Sequence, residues 1–112
     1  MFSKALIAAT AKPIVLSLLL SGESYGYQIL KRVRSVTGGK IAWSSAMLYP
    51  VLHRLAKDGL IQSEWKLSDE GRMRKYYFLT ELGQQELETE KERWLSIQEI
   101  LTKLWAPVEA AD

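Results

Sequence analysis

The sequence predicts a mostly α-helical fold with one β-hairpin, in the order helix, helix, helix, hairpin, helix. Three observations lead to this prediction. Apolar residues recur at helical spacing before residue 60, two short strand-like runs flank a polar segment with a glycine, and a long amphipathic stretch follows residue 80. A chain of 112 residues with 47% hydrophobic and 25% charged residues has the size and composition of one folded domain.

Apolar spacing predicts three helices ahead of the strand-like runs. The first is apolar nearly all round, which is typical of a buried helix. Pro13 has no amide hydrogen, so this helix either kinks there or has its regular part begin near Lys12. Ser24 is expected to be the N-cap of the second helix. The predicted bounds are about 5–21, 25–36 and, after a cap at Ser44 or Ser45, a third helix to 58.

A hairpin and a final helix complete the fold. Residues 61–67 and 75–79 have strand character, and the polar segment between them is typical of a hairpin loop. Thr80 is the expected N-cap of a helix that extends to about Trp105. Three helices followed by a hairpin form a winged helix-turn-helix. The expected divisions are the winged helix-turn-helix (1–79), a C-terminal dimerisation helix (80–106) and a frayed tail (107–112).

Charge is distributed unevenly along the chain, although its net value is only +2. Residues 1–80 contain 12 Lys and Arg against 5 Asp and Glu, a net of +7. Residues 81–112 contain 3 against 8, a net of −5. The first portion is therefore expected to attract a polyanion, and the last helix is not.

Composition argues against several other classes of protein. One histidine, no cysteine and no glycine-rich phosphate loop argue against an enzyme and against a metal site, and no cofactor is expected. The apolar run at residues 14–20 is too short for a membrane span, so we expect a cytoplasmic protein.

The third helix and the hairpin contain the residues best suited to contact DNA. Tyr49 and His53 lie opposite the apolar stripe of this helix, and Ser44 and Ser45 lie at its positive N-terminal end. The hairpin adds a compact basic cluster that suits phosphates. Its members are Lys66, Arg72, Arg74 and Lys75. Taken singly, each feature has a structural alternative: a helix cap, packing of Tyr49, or a solvated turn.

Three sequence blocks stand out, namely SYGYQILKRV (24–33), MLYPVLHRLAKDGLI (47–61) and GRMRKYYFLTELGQQEL (71–87). In these blocks the chain resembles the PadR family of bacterial regulators, specifically its shorter branch. The resemblance implies a dimeric winged-helix repressor of a pseudo-palindromic site in double-stranded DNA. In this reading the third helix is the recognition helix and the hairpin is the wing. Carried over by position, the DNA contacts are Tyr25, Ser44, Tyr49, His53, Lys66, Arg72, Arg74 and Lys75.

The last helix is expected to form a homodimer through a heptad-like seam. The seam residues are Leu87, Trp94, Ile97, Leu101 and Leu104. The alternative is that this helix folds back on the first helix of its own chain. The dimer is favoured because an operator with two matched half-sites requires two symmetry-related copies of the protein.

The resemblance also implies a small-molecule effector, because short-branch members that respond to planar, often cationic, compounds stack them on a tryptophan of this helix. Trp94 matches that place, and Ala9, Pro13 and Gln98 are expected to line the slot. The alternative is that Trp94 is simply part of the dimer core. A winged helix that binds a protein partner and no DNA is the competing function.

Overall fold

The structure, a computed structural model, describes residues 2–107. Its element order confirms the predicted succession of helices and hairpin, with one additional short strand. The elements are α1 (Lys4–Leu20), β1 (Ser24–Tyr25), α2 (Gly26–Val36), α3 (Ser45–Lys57), β2 (Ile61–Leu67), β3 (Met73–Leu79) and α4 (Glu81–Trp105). Of the tail expected to fray, Pro107 is exposed, and the residues after it lie outside the described part.

Two of the three expected helix caps are present. The Ser44 hydroxyl accepts a hydrogen bond from the Met47 amide at 3.2 Å, and the Thr80 hydroxyl accepts one from the Gly83 amide at 3.0 Å. The prediction that Ser24 caps α2 is wrong, because Ser24 lies in β1. The N-cap of α2 is Tyr25, whose amide donates to the Gln28 side chain at 3.4 Å.

The strands form an antiparallel sheet in the order β1-β3-β2. The hairpin pairs Lys66 with Arg74 and Leu67 with Met73, so β3 begins two residues earlier than the predicted start at Lys75. The Ser68 amide donates to the Arg72 carbonyl at 2.7 Å and closes the loop. This bond places the turn between those residues and lets Met73 pair. We refer to β2, β3 and their loop as the wing.

The core lies where α1, α2 and α3 meet the base of the sheet. Helix α1 runs from Lys4 to Leu20 with Pro13 inside it, so of the two alternatives the one in which the regular part begins near Lys12 is wrong. The most deeply buried apolar side chains come from α1, α2, α3, β2 and α4. They include Leu16, Ile29, Leu48, Leu52, Ile61 and Leu87.

The first turns of α4 pack against the rest of the chain. A Cβ on Gly83 would lie 2.0 Å from the Leu60 carbonyl oxygen, so this close approach requires glycine. Lys12 of α1 pairs with Glu86 and lies 3.8 Å from Glu90. Leu87 is only 1% exposed and belongs to the core, so α4 does begin by folding back on its own chain. Farther along, α4 exposes many apolar side chains.

Candidate nucleic-acid interface

Helix α3 presents the polar face that the sequence predicts. Leu48, Leu52 and Leu55 are buried, and they hold the helix against the core. Tyr49 is 47% exposed on the opposite side, and His53 is exposed with it. Ser44 and Ser45 are exposed at the N-terminal end, although the Ser44 hydroxyl is already engaged as the cap. The helix thus offers side chains to a groove of DNA along one face.

The basic residues of the wing have different surroundings. Arg72 and Lys75 are exposed. Lys66 is paired with Glu23, and its ammonium lies 5.1 Å from the centre of the Tyr76 ring. The hydrogen bond from Lys66 to Glu23 raises the pKa of Lys66 above its usual value. Lys66 therefore remains a cation, but one already matched by a carboxylate.

Arg74 and Tyr25 form a stacked pair at the edge of the wing. The guanidinium carbon lies 4.4 Å from the Tyr25 ring centre, within the range of a cation–π contact. Tyr25 is only 8% exposed and meets Tyr76 edge-on at 5.4 Å. Among the described residues, Nε of Arg74 is buried without a hydrogen-bond partner. Tyr25 therefore supports Arg74 and has little surface of its own to offer DNA.

A groove of about 270 Å³ joins the start of α2, the middle of α3 and the wing. We call it the wing groove. It brings together four predicted DNA contacts, namely Tyr25, Tyr49, Arg74 and Lys75. The other five, Ser44, Ser45, His53, Lys66 and Arg72, lie outside its lining.

The Tyr49 hydroxyl packs against the start of α2, where a Cβ on Gly26 would lie only 2.3 Å from it. Tyr77 also lines the groove, and burial, and secondarily the nearby Tyr49, raise the pKa of its phenol. The positive end of the α2 dipole and the cations Arg74 and Lys75 meet at this groove. This arrangement suits a passing phosphodiester.

Five of the groove residues were not among the predicted DNA contacts, namely Gly26, Tyr27, Trp65, Met73 and Tyr77. The signal for two of them was present in strand alternation. Trp65 pairs with Lys75, and residues two apart on a strand share a face, so Met73 lies on the same face as Lys75. The late predicted start of β3 concealed this relation.

Of the four residues expected to hold an effector, Pro13 and Trp94 line one cavity, of about 430 Å³, between α1, α2 and α4. We call it the interhelix cavity. Ala9 and Gln98 are exposed and lie outside its lining. The rest of the wall is mainly apolar and includes Ile14, Leu18, Val33 and Ile41, none of which sequence reasoning assigned to it.

Within residues 2–107, none of the helices is long and apolar enough to cross a membrane. In that same part of the chain, no cluster of three or more His, Cys, Asp or Glu side chains could hold a metal ion.

The fold agrees with the family that the sequence matches. Residues 15–89 match the PadR-like family of transcriptional regulators. The chain belongs to this family. It is therefore a DNA-binding transcription regulator and not an enzyme. It is 33% identical over 88 residues to an uncharacterised protein of Lysinibacillus sphaericus, with 79% of this chain and 81% of that one covered.

Two further relatives of this PadR-like chain are named as regulators. The transcriptional regulator YqjI of Escherichia coli is 31% identical over 86 residues, which span 77% of this chain but only 40% of that longer protein. The structure of a transcriptional regulator from Clostridium thermocellum superimposes with a TM-score of 0.84 at 30% identity, covering 95% of this chain and all of the other.

Proposed function

We propose that this PadR-like regulator is a homodimeric repressor that places α3 in the major groove of a pseudo-palindromic operator. The wing groove is the observation that carries the proposal. It joins Tyr49 of the recognition helix to Arg74 and Lys75 of the wing around the start of α2. A DNA strand lying there would meet a helix on one side and a basic hairpin on the other.

Within this interface the residues have separate roles. Tyr49 and His53 face outward from α3 and would meet base edges. Ser44 and Ser45 lie at its N-terminus and would meet a phosphate. Arg72, Arg74 and Lys75 would neutralise phosphates beside the wing, with Tyr25 holding Arg74 in place. Lys66 would join them once Glu23 releases it.

The homodimer would form through the projecting part of α4. Ile97 is 52% exposed and Leu104 72% exposed, one heptad apart on the same face. Trp94 and Leu101 flank them and are partly exposed. Leu87 is already covered within its own chain, so the proposed seam begins at Trp94. Two copies related by a twofold axis would then present two α3 helices to two half-sites.

The proposed signal is a planar aromatic cation bound beside Trp94. The interhelix cavity supports this because Pro13 and Trp94 line it together, in a wall that is mainly apolar. Glu90 and Lys91 both line it, and the Glu90 carboxylate is the group that would meet a positive charge. A ligand held against α4 would change the angle between the two winged domains, so that the recognition helices lose their spacing of about 34–36 Å. Repression would then be relieved.

Salt-dependent binding tests the DNA interface. Fluorescence anisotropy with a labelled operator duplex should show affinity falling steeply with salt. Because a homodimer has two wings, Arg72→Gln or Lys75→Gln removes two phosphate contacts, and each should reduce the slope of log affinity against log salt by about 1.8. Lys103→Gln, which changes an exposed residue of α4, is the matched control and should not alter it. His53→Ala should instead change the preferred sequence. Absence of salt-sensitive binding to any duplex would favour the protein-interaction alternative.

The effector is tested with rhodamine 6G as a planar aromatic cation and tetrabutylammonium as a non-planar control. Rhodamine 6G should quench tryptophan fluorescence and weaken operator binding, and Trp94→Phe should reduce both responses. Phenylalanine keeps an apolar ring in place, so the fold is retained. If a broad panel of planar compounds left both readouts unchanged, the effector proposal would be wrong while DNA binding stood.

A further inference from the structure

We infer that the wing inserts an apolar face, formed by Trp65, Leu67 and Met73, into the minor groove of DNA and opens a base step there. The protein would then bend its site and select its sequence partly through the ease of that deformation. The inference rests on the proposed DNA interface, but it assigns a contact that the basic residues of the wing do not explain.

The three side chains share one face of the hairpin. Leu67 pairs directly with Met73, and Trp65 pairs with Lys75, which lies two residues from Met73 on the same strand. They are 64%, 65% and 60% exposed for Trp65, Leu67 and Met73 respectively. We call them the apolar wing face. It lies at the far end of the hairpin, next to the loop.

Packing within the chain does not account for these residues. The same sheet face continues toward the base of the hairpin through Ile61 and Tyr77, and there it is buried in the core. The apolar pattern therefore extends beyond the core by several residues, into a part of the strands where water covers it. A hairpin needed only for structure would alternate to polar residues at such positions.

The surroundings of the apolar wing face point to DNA as its occupant. Trp65 and Met73 line the wing groove, so the face is continuous with the surface that includes Tyr49 of α3. Two cations border it, Lys75 beside Trp65 in the sheet and Arg72 next to Met73 in the loop. An apolar centre with a cationic rim matches a groove of DNA, whose apolar sugar edges lie between two lines of phosphate.

The side chains are of the types that enter base steps. Leucine and methionine are common wedges in minor-groove proteins, where they partly unstack neighbouring bases and kink the duplex. Because pyrimidine–purine steps such as TA and CA unstack most readily, they should be favoured where the wing lands. This selection would need no hydrogen bond from the wing to a base.

The experiment uses full-length protein and a duplex selected from a random pool for tight binding, with 2-aminopurine placed in turn at each position. This base brightens when it is unstacked. Wild-type protein should brighten it at a step beside the recognition half-site, and donor and acceptor dyes at the duplex ends should report bending. Leu67→Ser with Met73→Ser should abolish both signals and weaken binding roughly tenfold, with the salt dependence unchanged because the phosphate contacts remain.

A matched control removes an exposed leucine elsewhere. Leu20→Ser, at the end of α1, should leave the 2-aminopurine signal and the affinity as in wild type. If wild-type protein binds with salt sensitivity but never brightens 2-aminopurine, or if the double variant binds and bends DNA normally, the apolar wing face serves another partner and the inference is wrong. Absence of salt-sensitive binding by wild type would instead overturn the proposed function itself.

Discussion

The guanidinium carbon of Arg74 lies 4.4 Å from the centre of the Tyr25 ring, and Tyr25 in turn meets Tyr76 edge-on. The contact joins β1 to β3 and fixes an arginine at the margin of the wing groove. A side chain already held by an aromatic face loses less conformational freedom when it binds a phosphate. The contact with Tyr25 therefore preorganises the Arg74 side chain for binding a phosphate of DNA.

Replacing Tyr25 tests this preparation. Tyr25→Leu should weaken DNA binding by roughly two- to thirtyfold, because a cation–π contact is worth about 0.5–2 kcal/mol and each 1.4 kcal/mol or so is a tenfold change in affinity. Tyr25→Phe keeps the ring and should bind within about twofold of wild type. Anisotropy titrations give the affinities, and chemical denaturation checks that both variants fold. Equal weakening by the two substitutions would mean that the hydroxyl, and not the ring, matters.

Removing Glu23, the partner of Lys66, should strengthen DNA binding. Glu23 raises the pKa of Lys66, so the pairing is fully present below the ordinary lysine value of 10.5 and is lost only as pH rises through the raised one. At neutral pH the pair is thus intact. In the homodimer, Glu23→Gln should release two Lys66 side chains to phosphates, which raises affinity at low salt by at least about threefold and increases the slope of log affinity against log salt by about 1.8.

Glu70→Gln is the matched control for this prediction, because it removes a negative charge from the wing loop without releasing Lys66. It should leave the salt slope unchanged. If both glutamate substitutions increased the slope equally, the effect would come from the general charge of the wing, and the pairing would have no role.

Features that depend only on neighbouring residues could be predicted from the sequence, and features that depend on tertiary contacts could not. Ser44 and Thr80 were identified as caps because a hydroxyl three residues before an amide needs no tertiary partner. The strand β1 could not be predicted, since two residues become a strand only by pairing with Tyr76 and Tyr77. Leu87 carried the heptad spacing of a seam, and only the fold shows that its own core covers it.

Gly83 should be intolerant of any side chain. An added Cβ would lie 2.0 Å from the Leu60 carbonyl oxygen and 2.7 Å from Cδ1 of Leu79, and the Leu60 backbone has little room to relax. Gly83→Ala should lower the free energy of unfolding by about 2 kcal/mol, although alanine normally favours a helix. Ser96→Ala, at an exposed position of α4, should be neutral or slightly stabilising. Urea denaturation measures both, and a neutral Gly83→Ala would contradict the close approach.

Tyr77 predicts a loss of stability in alkali. Burial first, and Tyr49 second, raise its pKa above the ordinary value of 10.0. The unfolded chain therefore loses this proton at lower pH than the folded one, and stability falls as pH rises from the unfolded pKa toward the folded one. Tyr77→Phe should gain stability relative to wild type between about pH 8 and about pH 11. If the difference in free energy of unfolding between wild type and Tyr77→Phe were the same at both pH values, the raised pKa of Tyr77 would be contradicted.

Charged substitutions in the exposed seam of α4 should prevent dimerisation. Ile97 and Leu104 are exposed within one chain, so changing both to glutamate should leave the monomer folded while placing four like charges across a twofold interface. Sedimentation should then show a monomer, and affinity for a two-half-site operator should fall more than about tenfold. Thr102 is exposed and lies about 140° round the helix from Ile97, so the Thr102→Glu variant is the control and should remain a dimer. If the double variant sedimented as wild type, the two chains would have to meet through a surface other than this seam.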